Sequence, residues 1–97
     1  MNPRDEYLEK LKAQLDQWNG QMAAWQATTR QATSEAKTEL EKQMGIMQSR
    51  ADDLVYRMEL LKSASTEAWQ EIASGADEAR KTMQDAVEKA RLRFKDV

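Results

Sequence analysis

Ninety-seven residues leave room for one domain (1–97) and no more. A third of them are charged (33%), only 6% are aromatic, and the formal net charge is -2 with a pI near 5.2, a balance that argues against nucleic acid as a partner. Histidine and cysteine are absent, which removes imidazole and thiolate nucleophiles, their zinc sites and any disulfide framework.

The rest of the composition, rich in Ala, Glu, Lys, Leu, Arg and Gln with one Pro and three Gly, is that of long helices. The first has a legible start. Asn2 can cap it, Pro3 suits the first helical position, and Asp5 and Glu6 lie where the helix dipole favours anions. Leu8, Leu11, Leu15, Trp18, Met22 and Trp25 then step by three and four in a heptad seam, which Thr29, Ala32 and Ala36 continue with small side chains. After an eleven-residue step through Leu40 and Met44, heptads resume with Met47, Ala51, Leu54, Met58 and Leu61. Beyond that an eleven-residue period links Leu61, Ile72, Met83 and Phe94, and another links Leu54, Ser65, Ala76 and Val87. The helix seam therefore includes Leu54, Met58, Leu61, Trp69, Ile72, Met83, Val87 and Phe94. Acid-before-base pairs at i,i+4 (Glu6/Lys10, Asp53/Arg57, Asp77/Lys81, Asp85/Lys89) lie mostly off the seam and support helix.

Ser63-Ala64-Ser65-Thr66 is the best place for a turn, with Ser65 as a second N-cap and Glu67 in the turn that follows. The seam runs through Asn19-Gly20, Gly45 and Gly75 without interruption, so these read as helical. The expected fold is all-α: long amphipathic coiled-coil helices, either a two-helix antiparallel hairpin (about 3–62 and 66–95) or one nearly continuous helix, packed in an oligomeric bundle.

Two segments bear on partners. Residues 17–34 carry one charge, Arg30, amid Trp18, Met22 and Trp25. Charge depletion with aromatic enrichment marks the core of an interface. A second helix of about thirty residues, folding back from residue 64, reaches only to about residue 33 and leaves this stripe uncovered. Leu8, Leu11, Leu15, Trp18, Met22 and Trp25 are thus the candidate interface for a homodimer or higher oligomer. The C-terminal segment carries Arg80, Lys81, Lys89, Arg91, Arg93 and Lys95 beside Met83, Val87, Leu92 and Phe94. It forms a basic amphipathic helix that suits either the negative end of its own dipole or an anionic membrane surface. Carboxylates such as Glu35/Glu39 and Glu67/Glu71 share helix faces, but a narrow helical stripe gives them no walled pocket. No catalytic, cofactor-binding or metal-ligating residue is assigned. No signal-peptide pattern opens the chain, and no stretch approaches the roughly 18 apolar residues of a membrane span, so a soluble cytoplasmic protein is expected.

Two stretches carry a family resemblance. Arg4-Asp5-Glu6-Tyr7-Leu8-Glu9-Lys10-Leu11-Lys12-Ala13-Gln14-Leu15-Asp16-Gln17-Trp18-Asn19 resembles the opening of a group of small bacterial coiled-coil proteins that are stress-response-associated and mostly uncharacterised. Leu60 through Ile72 is similar to that family's Ala-Ser-Gly-Glu-Ala-Trp segment, with Thr66 in place of the usual Gly; residues 21–33 depart from the family's charged heptads. The resemblance implies a bacterial, non-enzymatic helical protein with a stress role; the expected function is a homo-oligomeric coiled coil that scaffolds or shields under stress. The resemblance carries over no catalytic residue.

Overall fold

Asn2 opens the first helix as its position suggests: its Oδ1 accepts a hydrogen bond from the Asp5 backbone N–H at 2.9 Å. The structure, a computed structural model, describes residues 2–95. They form three helices of nearly equal length, α1 (Pro3–Gln31), α2 (Ser34–Ser63) and α3 (Thr66–Lys95). Arg4 and Tyr7, near the start of α1, touch Ala64 and Ala73, while Trp25 near its end touches Phe94. Hence α1 and α3 run in the same direction and α2 runs against both. The bundle is 51 Å long and about 20 Å across, with principal extents of 51 × 21 × 17 Å.

The two-helix hairpin and the single continuous helix are both replaced by this arrangement. The turn placed at residues 63–66 is present, with Ala64 and Ser65 between α2 and α3. The helix drawn over 3–62 is broken at Ala32-Thr33, where periodicity gave no sign of it. The two turns are built alike. The backbone N–H of Ala32 donates to Thr29 O at 3.2 Å, and that of Ala64 to Leu61 O at 3.3 Å. Thr33 Oγ1 then accepts from Ala36 N–H and Ser65 Oγ from Ala68 N–H, satisfying free donors at the starts of α2 and α3. Ala32, Thr33 and Ala64 are all in extended conformation, so neither turn depends on glycine.

Each helix turns one stripe inward. The buried residues are Leu11, Leu15, Trp18, Met22, Trp25 and Thr29 from α1, and Leu40, Met47, Ala51, Leu54, Met58 and Leu61 from α2. From α3 they are Ala76, Ala79, Met83, Ala86, Val87, Ala90 and Phe94. The only polar member, Thr29, donates its hydroxyl to Trp25 O at 2.8 Å, so its burial leaves no unmet donor. Alanines on α3 let α2 approach closely, and this pair forms the most extensive contact in the molecule. The tryptophans of α1 fill a wider gap, and α1 meets α3 mainly through large side chains.

Candidate interaction surface

At the end of the bundle where α2 turns into α3, Arg4 reaches from α1 to donate from Nη2 to Ala64 O at 2.7 Å. It places a cation at the C-terminal end of α2, where the helix dipole favours one. The same guanidinium lies 5.4 Å from the centre of the Trp69 ring, and Tyr7 meets that ring edge-on at 5.6 Å. The Tyr7 hydroxyl donates to Ala73 O at 3.3 Å. Burial, with Asp77 nearby, pushes the Tyr7 phenol above its ordinary pKa, and Arg80 pulls the other way. Trp69 Nε1 is buried without an acceptor.

The bundle's middle and opposite end bury the segment assigned to an intermolecular interface. Leu11, Leu15, Trp18, Met22 and Trp25 pack against the chain's own α2 and α3, with Leu8 half-buried beside them. The expectation of an uncovered tryptophan stripe assumed one helix over 3–62. The break at Ala32-Thr33 folds that stripe back inside. Of the seam residues, Leu54, Met58, Leu61, Met83, Val87 and Phe94 are buried, and Trp69 and Ile72 are half-buried against them.

The basic segment is largely neutralised on the spot. Arg80 and Lys81 both reach Asp77, at 3.1 and 3.4 Å. Lys89 pairs with Asp85, Arg91 with Glu88, and Arg93 crosses to Glu39 on α2 at 3.5 Å. Lys95 is exposed. The hydrogen bond from Arg80, aided by Lys81, holds the Asp77 carboxyl below its ordinary range despite some desolvation. Met83, Val87 and Phe94, the apolar side of this segment, face the core; only Leu92, 65% exposed, points outward. Of the four i,i+4 pairs expected, three form, and Glu6/Lys10 does not.

What remains open is the outside of α2. Ile46 and Tyr56, 38% and 60% exposed, stand on it ten residues apart, with Val55, 43% exposed, next to Tyr56. Lys42, Gly45, Ile46, Ser49 and Arg50 rim a shallow hollow. A methyl group added at Gly45 would meet nothing within 4 Å. Between α2 and α3 a longer, open groove passes from Glu39 and Arg93 to Arg50 and Thr82, floored by Ala86. Further along, Arg57 lies across Gly75 of α3, its Nη1 only 2.9 Å from where a Cβ would sit. Its Nε faces Asp53 Oδ1 at 3.6 Å, an ion-pair distance too long for a hydrogen bond.

The outer face of α2 was missed in the sequence because two heptads overlap there. Lys42, Ile46, Ser49, Asp53, Tyr56 and Leu60 form one, and it lies one residue out of step with the inner seam of Met47, Leu54 and Leu61. The inner seam is the more apolar and masks the outer. No family model, curated protein or solved structure matches the chain. Among the described residues no group of three or more acidic side chains is placed to hold a metal ion, and no helix is long and apolar enough to cross a membrane. The concavities are open grooves lined largely by charged and polar side chains.

Proposed function

We propose that this chain is a non-catalytic helical interaction protein that self-associates and serves as a scaffold or protective factor, in line with the bacterial stress-response family it resembles. The observation that carries this reading is the outer face of α2, where Ile46 and Tyr56 stay exposed although one copy already buries a continuous core from all three helices. An apolar pair rimmed by charges on a helix surface is suited to a partner helix. Light scattering coupled to gel filtration tests it. A mass of two or more chains at tens of micromolar is expected, and a strictly monomeric mass would sink the reading.

A second reading rests on Leu92, exposed among Arg91, Arg93 and Lys95 at the end of α3. This short basic and apolar patch suits the surface of an anionic membrane. Flotation with vesicles containing anionic lipid separates the two: co-flotation, lost on Leu92→Glu, would put the membrane first.

A further inference from the structure

We infer that α1 passes between two copies of this chain. The Ala32-Thr33 turn straightens, α1 and α2 become one helix, and each α1 packs on α2 and α3 of the second copy. The inference rests on the self-association proposed above and names the element that is exchanged. It leaves the outer face of α2 free, so the two answer to different measurements.

Little holds the first turn closed. Ala32 and Thr33 have φ of -75° and -64°, values a helix already uses, and only their ψ angles, 159° and 161°, depart from it. The segment from Thr29 to Ala36 contains neither Gly nor Pro. Its closing bonds are local: Ala32 N–H to Thr29 O at 3.2 Å and Ala36 N–H to Thr33 Oγ1 at 3.4 Å. A continuous helix replaces both, and it gives partners to the backbone donors and carbonyls that two helix ends leave free. The second turn is held differently. Arg4 of α1 donates to Ala64 O at 2.7 Å, and that turn joins the two helices with the most extensive contact. The weakly held helix is therefore α1, and its hinge is Ala32-Thr33.

The seam makes the exchange geometrically closed. Trp25, Thr29, Ala32, Ala36 and Leu40 keep steps of three and four across the break, so in one straight helix the stripes of α1 and α2 face the same side. Such a helix over residues 3–63 spans about 90 Å. Two of them related by a two-fold axis at residues 32–33 lie antiparallel, stripe to stripe. Each α1 then runs against the other copy's α2, with residue 31 level with residue 34 and residue 3 level with residue 63, as within one chain. Every contact that α1 makes at home is remade: Trp25 stacks on Phe94 of the second copy, and Arg4 reaches Ala64 of the second copy. The occupant of the face between α2 and α3 is thus the same helix in both states, and the symmetry is closed.

The test is a distance within one chain. Lys12 and Asp52 are exposed, and the chain has no cysteine of its own, so Lys12→Cys with Asp52→Cys takes two spin labels cleanly. The doubly labelled chain is diluted into unlabelled protein, and pulsed electron resonance is read on the gel-filtration fractions. With α1 at home the labels sit across a bundle about 20 Å wide. In the exchanged dimer forty helical residues separate them, about 60 Å. Two hinge variants, followed by sedimentation equilibrium, should move the dimer constant in opposite directions. Ser34→Pro suits the first position of α2 but breaks a continuous helix, and is expected to weaken the dimer about a hundredfold or more. Thr33→Ala removes the cap of the closed turn and favours helix, and should strengthen the dimer about tenfold or more. A dimer that keeps the short distance, or whose constant Ser34→Pro leaves unmoved, would overturn the exchange and leave self-association standing. A chain that is monomeric throughout would overturn both.

Discussion

Trp25 and Phe94 stack face to face, their ring centres 4.9 Å apart and their planes 10° from parallel. The pair ties the last turns of α1 to those of α3, beside the Ala32-Thr33 turn and away from the Arg4–Tyr7–Trp69 cluster. Arg91 adds its guanidinium 6.0 Å from the Trp25 ring. Aromatic side chains at both ends thus hold two helices that otherwise touch little.

Truncating either member of the stack should destabilise the fold strongly. Trp25→Ala and Phe94→Ala are each expected to lower unfolding free energy by about 3–5 kcal/mol, as for other buried aromatics. In a double-mutant cycle they should show a coupling of about 0.5–1.5 kcal/mol. Urea denaturation of the four proteins measures it. Strictly additive losses would mean that the rings do not hold each other.

The two turns should be equally sensitive to their caps. Thr33→Ala and Ser65→Ala each remove an acceptor for a free backbone donor, and each is expected to lower stability by about 1 kcal/mol. The sites sit at opposite ends of the bundle, so the double variant should lose the sum of the two. A Thr33→Ala protein as stable as the parent would speak against a helix start at that position.

This similarity of the turns also explains what could be read from the sequence. Ala32-Thr33-Ser34-Glu35-Ala36 and Ala64-Ser65-Thr66-Glu67-Ala68 are nearly the same five residues: alanine, two hydroxyl side chains, glutamate, alanine. The second was read as a turn and the first was not. The reason is that Thr29, Ala32 and Ala36 keep heptad spacing across the break, and spacing alone cannot tell a helix that continues from one that reverses with its small residues still facing inward. The seam itself was legible, since Leu11 through Trp25 and Leu54 through Leu61 are the buried faces of α1 and α2. The partner of that seam was not. Once α1 folds back, the tryptophans meet their own chain, and the exposed large apolar side chains are Ile46, Val55, Tyr56 and Leu92.

Two glycines should respond differently to alanine. Gly20 has open space around it in mid-helix, so Gly20→Ala is expected to stabilise by about 0.5–1 kcal/mol. Gly75→Ala should gain less, because its Cβ would displace the Arg57 guanidinium 2.9 Å away. Thermal melts of both variants compare them, and a larger gain at Gly75 would contradict the placement of Arg57.

Stability should vary with pH at both extremes. The Asp77 pKa is lowered on folding, mainly by the Arg80 hydrogen bond, so its contribution is present at neutral pH and is lost as pH falls below its ordinary value of 3.8. The site is part-exposed and the effect is small. The Tyr7 pKa is raised on folding, first by burial, so the neutral phenol supports the fold up to its ordinary value of 10.0, and that support is lost as pH rises through the elevated value. Denaturant midpoints across pH should therefore show a shallower acid limb for Asp77→Asn and a shallower alkaline limb for Tyr7→Phe. Limbs parallel to the parent's would remove these groups from the account.

An odd number of helices carries the chain in at one end of a 51 Å bundle and out at the other, with Pro3 and Lys95 at opposite poles. A pull applied at these two points acts along all three helices together. To extend, α1 and α3 must slide lengthwise past α2, so the interlocked side chains resist as a group. In a two-helix hairpin both ends leave from the same pole, and tension would unzip it one turn at a time. The short Ala32-Thr33 turn thus changes how the molecule answers force, from peeling to shear.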